Sequence, residues 1–128
     1  MPKAAIRLLI VDDDERFIAA VEAMLESADD IEVIGRAANG DEALRRAGEL
    51  LPDVITMDIQ MPVMDGVDAT RMISHYFKVP IVVLTGSDSG QRVQEALAAG
   101  AVAHVAKSRA WGSLASALRA AAAAPPRQ

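Results

Sequence analysis

Five short blocks of apolar, largely β-branched residues, at 6–11, 31–34, 54–57, 81–84 and 101–105, punctuate a chain of 128 residues. Each is four to six residues long and almost continuously hydrophobic, the pattern of a strand buried on both faces. The intervening segments carry helical spacing: Phe17, Val21, Met24 and Leu25, then Ala43, Leu44 and Ala47, then Val67, Thr70, Met72 and Ile73. A fourth helix is predicted over 91–99, with Val93 and Leu97 on one stripe, and a fifth from about Ser113 through Leu114 and Leu118 to Ala124. Gly100 and Pro125 are the natural stops. Five βα repeats imply an α/β fold: a parallel sheet with helices on both faces, joined by right-handed crossovers. For a chain of this size the leading arrangement is a flavodoxin-like (βα)5 three-layer sandwich of strand order 2-1-3-4-5. We expect one domain over 1–124 and a tail or linker start at 125–128, where Pro125-Pro126 follows the alanine-rich helix.

In open sheets of this kind, ligands bind outside the carboxyl ends of the strands, where the strand order reverses, here between the first and third strands. Acidic residues collect there. The first strand runs into Asp12-Asp13-Asp14, and the third closes on Asp58. Asp14 reads as the N-cap of the next helix. Asp58 has no such role, because Ile59-Gln60-Met61-Pro62 follows it in place of a helix start. Two carboxylates about 4 Å apart repel by about 4 kcal/mol at an effective dielectric of 20, roughly three pK units. Such a cluster must retain protons or bind a hard cation. An all-oxygen ligand set suits Mg²⁺ best and Mn²⁺ next. Zinc is disfavoured, since the chain has no Cys and no His pair at ligand spacing.

Thr85 at the end of the fourth strand and Lys107 after the fifth add a hydroxyl and an ammonium to the same sheet edge. Acid, cation, hydroxyl and amine together make a phosphate site. In such a site a carboxylate can attack phosphorus to give an aspartyl phosphate, while metal and lysine neutralise the phosphoryl oxygens.

The remaining composition excludes other classes. Eighteen Asp and Glu against thirteen Lys and Arg give a net charge of −5, and no basic run is present, which argues against direct nucleic-acid binding. With no Cys there are no disulfides and no thiolate chemistry. The apolar run at 8–11 is too short, and too soon followed by charge, for a leader or a membrane span. These features read as a soluble cytoplasmic protein.

Ordered blocks along almost the whole chain resemble the receiver domains of two-component response regulators. They are Leu9-Ile10-Val11-Asp12-Asp13, Ala38-Asn39-Gly40-Asp41-Glu42-Ala43-Leu44, Pro52-Asp53-Val54 through Met57-Asp58, Met61-Pro62 with Met64-Asp65-Gly66, Val83-Leu84-Thr85, and Ala99-Gly100-Ala101 through Lys107. The resemblance implies that Asp58 accepts a phosphoryl group from a phosphohistidine on a sensor histidine kinase. It implies that Asp12, Asp13, Asp58 and the backbone carbonyl of Gln60 hold Mg²⁺. It also implies that Thr85 moves to the phosphoryl group, that Lys107 pairs with it, and that the face of helix 4, strand 5 and helix 5 switches, by dimerisation or by docking an effector or attached output domain. The chain is then a phosphoacceptor switch that assists its own phosphorylation and dephosphorylation, not an enzyme with a turnover substrate.

Two positions depart from the family pattern. His104 stands where receivers usually carry Tyr or Phe as a rotameric switch, so either it reports the position of Thr85 or it is a partly exposed strand histidine. Ser108 follows Lys107 where many receivers have proline; without proline, cis would cost about 3 to 4 kcal/mol, so trans and a shifted loop are expected. Trp111, near the last helix start, is read as a local packing lid. Pro62 and Gly66 are expected to shape the loop after Asp58, with glycine free to take positive φ, and the Gly86 N–H to face a phosphoryl oxygen. Gln60 and Ser87, both polar and neutral, are expected to tune water access and hence phosphate lifetime.

The region 31–40 looks like receivers that precede helix-turn-helix DNA-binding domains, whereas 54–58 and 101–107 look like those of chemoreceptor methylesterases. A haloacid-dehalogenase-type hydrolase would need a second acid where Gln60 stands, and a nucleotide module would need a phosphate loop in place of Asp12-Asp13-Asp14. A degenerate receiver that acts without phosphorylation is the closer rival.

Overall fold

The computed structural model describes residues 5–86 and 90–123. The elements are β1 (Ile6–Val11), α1 (Glu15–Leu25), β2 (Ile31–Ala37), α2 (Gly40–Leu50), β3 (Val54–Asp58), α3 (Gly66–Tyr76), β4 (Ile81–Thr85), α4 (Gly90–Ala99), β5 (Ala103–Ala106), a 3₁₀ turn (Lys107–Arg109) and α5 (Ala110–Ala123). All strand pairs are parallel, in the order β2-β1-β3-β4-β5. This is the expected flavodoxin-like (βα)5 sandwich.

Alternation along the strands divides the core into two layers. Leu9 and Val11 of β1, with Ile55, Met57 and Val83, pack against Ala43 and Ala47 of α2, Val67 and Ile73 of α3, and Val93 and Ala96 of α4. Leu8 and Ile10, with Val54, Val82 and Leu84, pack against Ile18, Val21 and Leu25 of α1 and Leu114 and Leu118 of α5. With both faces covered, the three central strands need no polar alternation, which is why their blocks read as continuous apolar runs.

Three helices open on side-chain caps. Asp14 accepts hydrogen bonds from the Arg16 and Phe17 N–H groups at 3.0 and 3.4 Å, Asn39 from Glu42 N–H at 2.9 Å, and Asp65 from Asp68 N–H at 3.0 Å. The N-cap reading of Asp14 is therefore correct. At the far end of α4, Gly100 takes φ 128° while Ala101 N–H reaches back to Ala96 O at 3.0 Å, the glycine stop seen in the sequence.

Several boundaries differ from the periodicity reading. β2 continues through Gly35, Arg36 and Ala37, because these residues still pair with Leu9, Ile10 and Val11 across a register shift. β5 begins at Ala103, since Ala101 and Val102 are taken up in closing α4 and entering the strand. The last helix starts at Ala110, three residues before Ser113, because the 3₁₀ turn feeds straight into it. On α1 the buried stripe is Ile18, Val21 and Leu25, with Phe17 only half-buried at its edge. Met72 of α3 is exposed, and Ile73 carries the burial. The tail at 125–128, with Pro125, and Ser87 lie outside the described residues.

The loop between β3 and α3 corrects one expectation. Its positive φ belongs to Val63, at 70°, where Met64 N–H bonds to Pro62 O at 2.8 Å in a three-residue turn. Gly66 is required for a different reason: a Cβ there would lie 2.0 Å from the carbonyl oxygen of Asp58. Its N–H bonds to Ile59 O at 2.7 Å, so α3 starts against the end of β3. Gly86, by contrast, has open space around it.

Gly66→Ala should therefore destabilise the fold by about 2 kcal/mol or more, the cost of overpacking against backbone, while Gly86→Ala should stay within about 0.5 kcal/mol. Urea denaturation of the two variants beside the wild type checks this; equal midpoints for Gly66→Ala and wild type would contradict it.

Candidate functional site

Asp12 directly follows β1, its N–H bonded to Ala37 O of β2 at 2.9 Å, and Asp58 is the last residue of β3. The pairing of Val11 with Met57 brings the two carboxylates to one edge of the sheet. One ligand oxygen each from Asp12, Asp13 and Asp58 lies within 4.8 Å of the others. Asp12 and Asp58 are buried, while Asp13 is exposed. Asp14 turns away to cap α1, and its own N–H bonds to Asp12 Oδ1 at 2.9 Å, fixing that carboxylate.

Lys107 arrives from the β5–α5 corner. Its Nζ lies 2.8 Å from Asp12 Oδ2 and 3.6 Å from Asp58 Oδ1. Burial works against the charge on Lys107, yet the two carboxylates hold its pKa above the ordinary lysine value. Asp58 is pushed up from 3.8 to about 6, first by burial and next by the charge of Asp12; Lys107 and the Gln60 backbone N–H pull it back, and Asp13 adds to the rise. Three carboxylates and one ammonium leave a formal charge of −2 in a partly buried pocket when all are ionised.

This donor set fits a divalent cation. All three side chains are oxygen ligands, and the buried Asp12 Oδ2 meets the Lys107 ammonium at 2.8 Å. Gln60 is exposed two residues beyond Asp58, and its backbone N–H bonds to the Asp58 carboxylate.

Thr85, buried, ends β4 one residue after Leu84, the partner of Asp58 across the β3–β4 ladder. Thr85 in turn pairs with Ala106 of β5. All the residues expected at the sheet edge thus emerge there. His104 differs in setting: it is exposed on β5 and, with Thr85, Val93, Ser108, Arg109 and Ser113, lines a groove between α4 and α5. Among the described residues no peptide bond is cis, so Ser108 follows Lys107 in trans, as expected.

Two contacts were not foreseen. Arg92 of α4 forms a short ion pair with Asp65, the cap of α3, and a second with Glu95 at 3.1 Å. Although burial opposes it, the Asp68 N–H and Arg92 keep the Asp65 carboxyl below the ordinary carboxylate range. The second is aromatic: Trp111 is 59% exposed rather than a closed lid, and its ring stacks on Phe17, over which the Lys107 ammonium rests. Phe17 and Trp111 lie 94 positions apart, so no local signal joins them.

The chain matches the family model of the response regulator receiver domain over residues 8–119. It is 42% identical over 123 residues to the transcriptional regulatory protein LiaR of Bacillus subtilis, covering 95% of this chain and 58% of that protein. It is 43% identical over 110 residues to a protein-glutamate methylesterase/protein-glutamine glutaminase of Methanospirillum hungatei, covering 84% of this chain and 31% of the relative. The response regulator domain of Thermotoga maritima CheB superimposes with a TM-score of 0.89 at 30% identity, over 95% of this chain and 99% of that one. The chain thus spans less than two thirds of the curated relatives it matches.

The raised Asp58 pKa sets a pH dependence for the metal-free protein. An acid whose folded pKa lies above its unfolded value holds its proton more tightly when folded, so its favourable contribution is complete below about pH 4 and is lost as pH rises through about 6. The full loss is on the order of 3 kcal/mol at most. Asp58→Asn should therefore melt higher than wild type at pH 7 without divalent cation, and the two should converge near pH 4. A wild-type protein as stable as the variant at pH 7 would contradict this.

Proposed function

The chain belongs to the response regulator receiver family, and on that premise we propose that it is a phosphoacceptor switch in which Asp58 takes a phosphoryl group from a phosphohistidine of a sensor histidine kinase. The supporting observation is the convergence of Asp12, Asp13 and Asp58 within 4.8 Å, with Lys107 against two of them.

A carboxylate oxygen of Asp58 attacks phosphorus as the bond to the donor imidazole nitrogen breaks, its electron pair staying on that nitrogen. Asp12, Asp13, Asp58 and the Gln60 backbone carbonyl would hold Mg²⁺, with Mn²⁺ as a substitute. When bound, the ion supplies charge neutralisation on the phosphoryl oxygens. Lys107 stays paired with Asp12 and offers its remaining N–H groups to the incoming oxygens, a fixed donor in a partly dry pocket. Thr85, one residue beyond the partner of Asp58, supplies the hydroxyl that would follow the new charge. A water attacking in line reverses the modification, its access governed by Gln60 at the rim.

The altered position of Thr85 would reach the α4–β5–α5 face through the groove it shares with His104. His104 would act there as the switch residue. The output remains within the same reading: either dimerisation through that face or docking of an effector or attached output domain. Both a transcriptional regulator and methylesterases stand among the relatives. We place the chain in the cytoplasm, as the partner of a sensor kinase; among the described residues no helix is long and apolar enough to cross a membrane.

Intact mass after incubation with acetyl phosphate and Mg²⁺ tests this directly. One phosphoryl group should be added, with none in the presence of chelator and none on Asp58→Asn. A folded wild-type protein that gains no group, and is not protected by beryllofluoride against thermal unfolding, would instead be a phosphorylation-independent docking module.

A further inference from the structure

We infer that Phe17, buttressed by Trp111, is a positioning residue for Lys107, holding the ammonium where a phosphoryl oxygen must meet it. The inference rests on the phosphoacceptor reading of Asp58.

Among the described residues the Lys107 ammonium meets Asp12 Oδ2 at 2.8 Å, Asp58 Oδ1 at 3.6 Å, and the face of the Phe17 ring, whose centroid is 4.4 Å away. The carboxylates draw the charge inward, and the ring closes a further side. An aromatic face attracts a cation through its quadrupole, the more so where water is scarce, and here the lysine side chain is only 22% exposed. A lysine on its four-carbon stem has many rotamers, so what surrounds its tip decides where the charge spends its time.

The ring is itself held from two directions. Phe17 is the third residue of α1, whose cap Asp14 donates its N–H to Asp12, so the ring is tied in sequence to the acid cluster. The ring also stacks on Trp111, with ring centroids 6.2 Å apart and planes inclined by 24°. Trp111 is the second residue of α5 and follows Lys107 by four positions, so ammonium and indole leave the same corner and both meet the ring. Trp111 is largely exposed and contributes little burial for its size. Holding the ring is a role that an exposed tryptophan at this corner can serve, and packing alone does not account for it.

Phe17 makes and breaks no bond in the transfer. Its effect should appear as the rate at which Asp58 gains phosphorus, and only while Lys107 is present. Initial rates of Asp58 phosphorylation by acetyl phosphate with Mg²⁺, read by intact mass on the full chain, should fall about 5- to 10-fold in Phe17→Leu and stay within about twofold in Phe17→Tyr, which restores the ring. In a Lys107→Ala background, Phe17→Leu should change the rate by less than about twofold, since the interaction it removes is already gone. The rise in melting temperature with Mg²⁺ should be the same in Phe17→Leu and wild type, because the acid cluster is intact. Wild-type rates in Phe17→Leu, or the same fall with and without Lys107, would overturn the inference and leave the phosphoacceptor reading standing. A wild-type protein that accepts no phosphoryl group overturns that reading, and the inference falls with it. Should Phe17→Leu fail to fold, Trp111→Leu at the exposed end of the stack serves instead: a two- to threefold slower rate that depends on Lys107 is expected, and an unchanged rate would contradict it.

Discussion

An uncompensated negative charge at one edge of the sheet is the constraint around which this molecule is arranged. Asp12, Asp13 and Asp58 converge within 4.8 Å, and Lys107 answers only part of their charge. A fold whose stability is a small difference between large terms keeps such an arrangement only where something else depends on it. The surroundings limit its cost: the Asp14 N–H holds Asp12, the Gln60 N–H holds Asp58, and the two buried carboxylates flank one ammonium. What remains is a pocket of formal charge −2, suited to a divalent cation and, beyond it, to an anionic phosphoryl group.

The parallel sheet makes that convergence possible. Two strands that are far apart in sequence end side by side only because a helix crossover returns the chain in the same direction, and the β1–β3 register sets Asp12 beside the last residues of β3. Behind the edge, two apolar layers cover both faces of the sheet, so the strands that carry the acids cannot easily shift. Gly66 brings α3 against the carbonyl of Asp58 where no side chain would fit. From there Asp65, cap of α3, reaches Arg92 of α4, tying the loop after Asp58 to the helix that borders the His104 groove.

Much of this was legible in the chain itself. Runs such as Leu8-Leu9-Ile10-Val11 and Ile81-Val82-Val83-Leu84 announce strands covered on both sides, and acids placed directly after two of them point to the sheet edge before any geometry is known. Asp14 and Asn39 declare their caps by local chemistry. The parts that were not legible depend on pairing at a distance or on backbone that residue type disfavours. β2 outruns its apolar block because Gly35 to Ala37 pair with β1. Val63, a β-branched residue at φ 70°, takes the turn that glycine at position 66 was expected to take, while Gly66 is needed for close approach. Phe17 reads as one more apolar residue of a helical stripe, and only the tertiary structure turns it toward Lys107 and Trp111.

The most direct measurement is a Mg²⁺ titration followed by melting temperature near neutral pH, on wild type and on Asp13→Asn. Asp13 is exposed, so the substitution leaves the packing intact while removing one ligand and one charge. A saturable rise in the wild-type melting temperature, lost or greatly weakened in Asp13→Asn, is the expected result. No rise in the wild type at millimolar Mg²⁺, or an equal rise in both proteins, would contradict a divalent-cation site built from Asp12, Asp13 and Asp58.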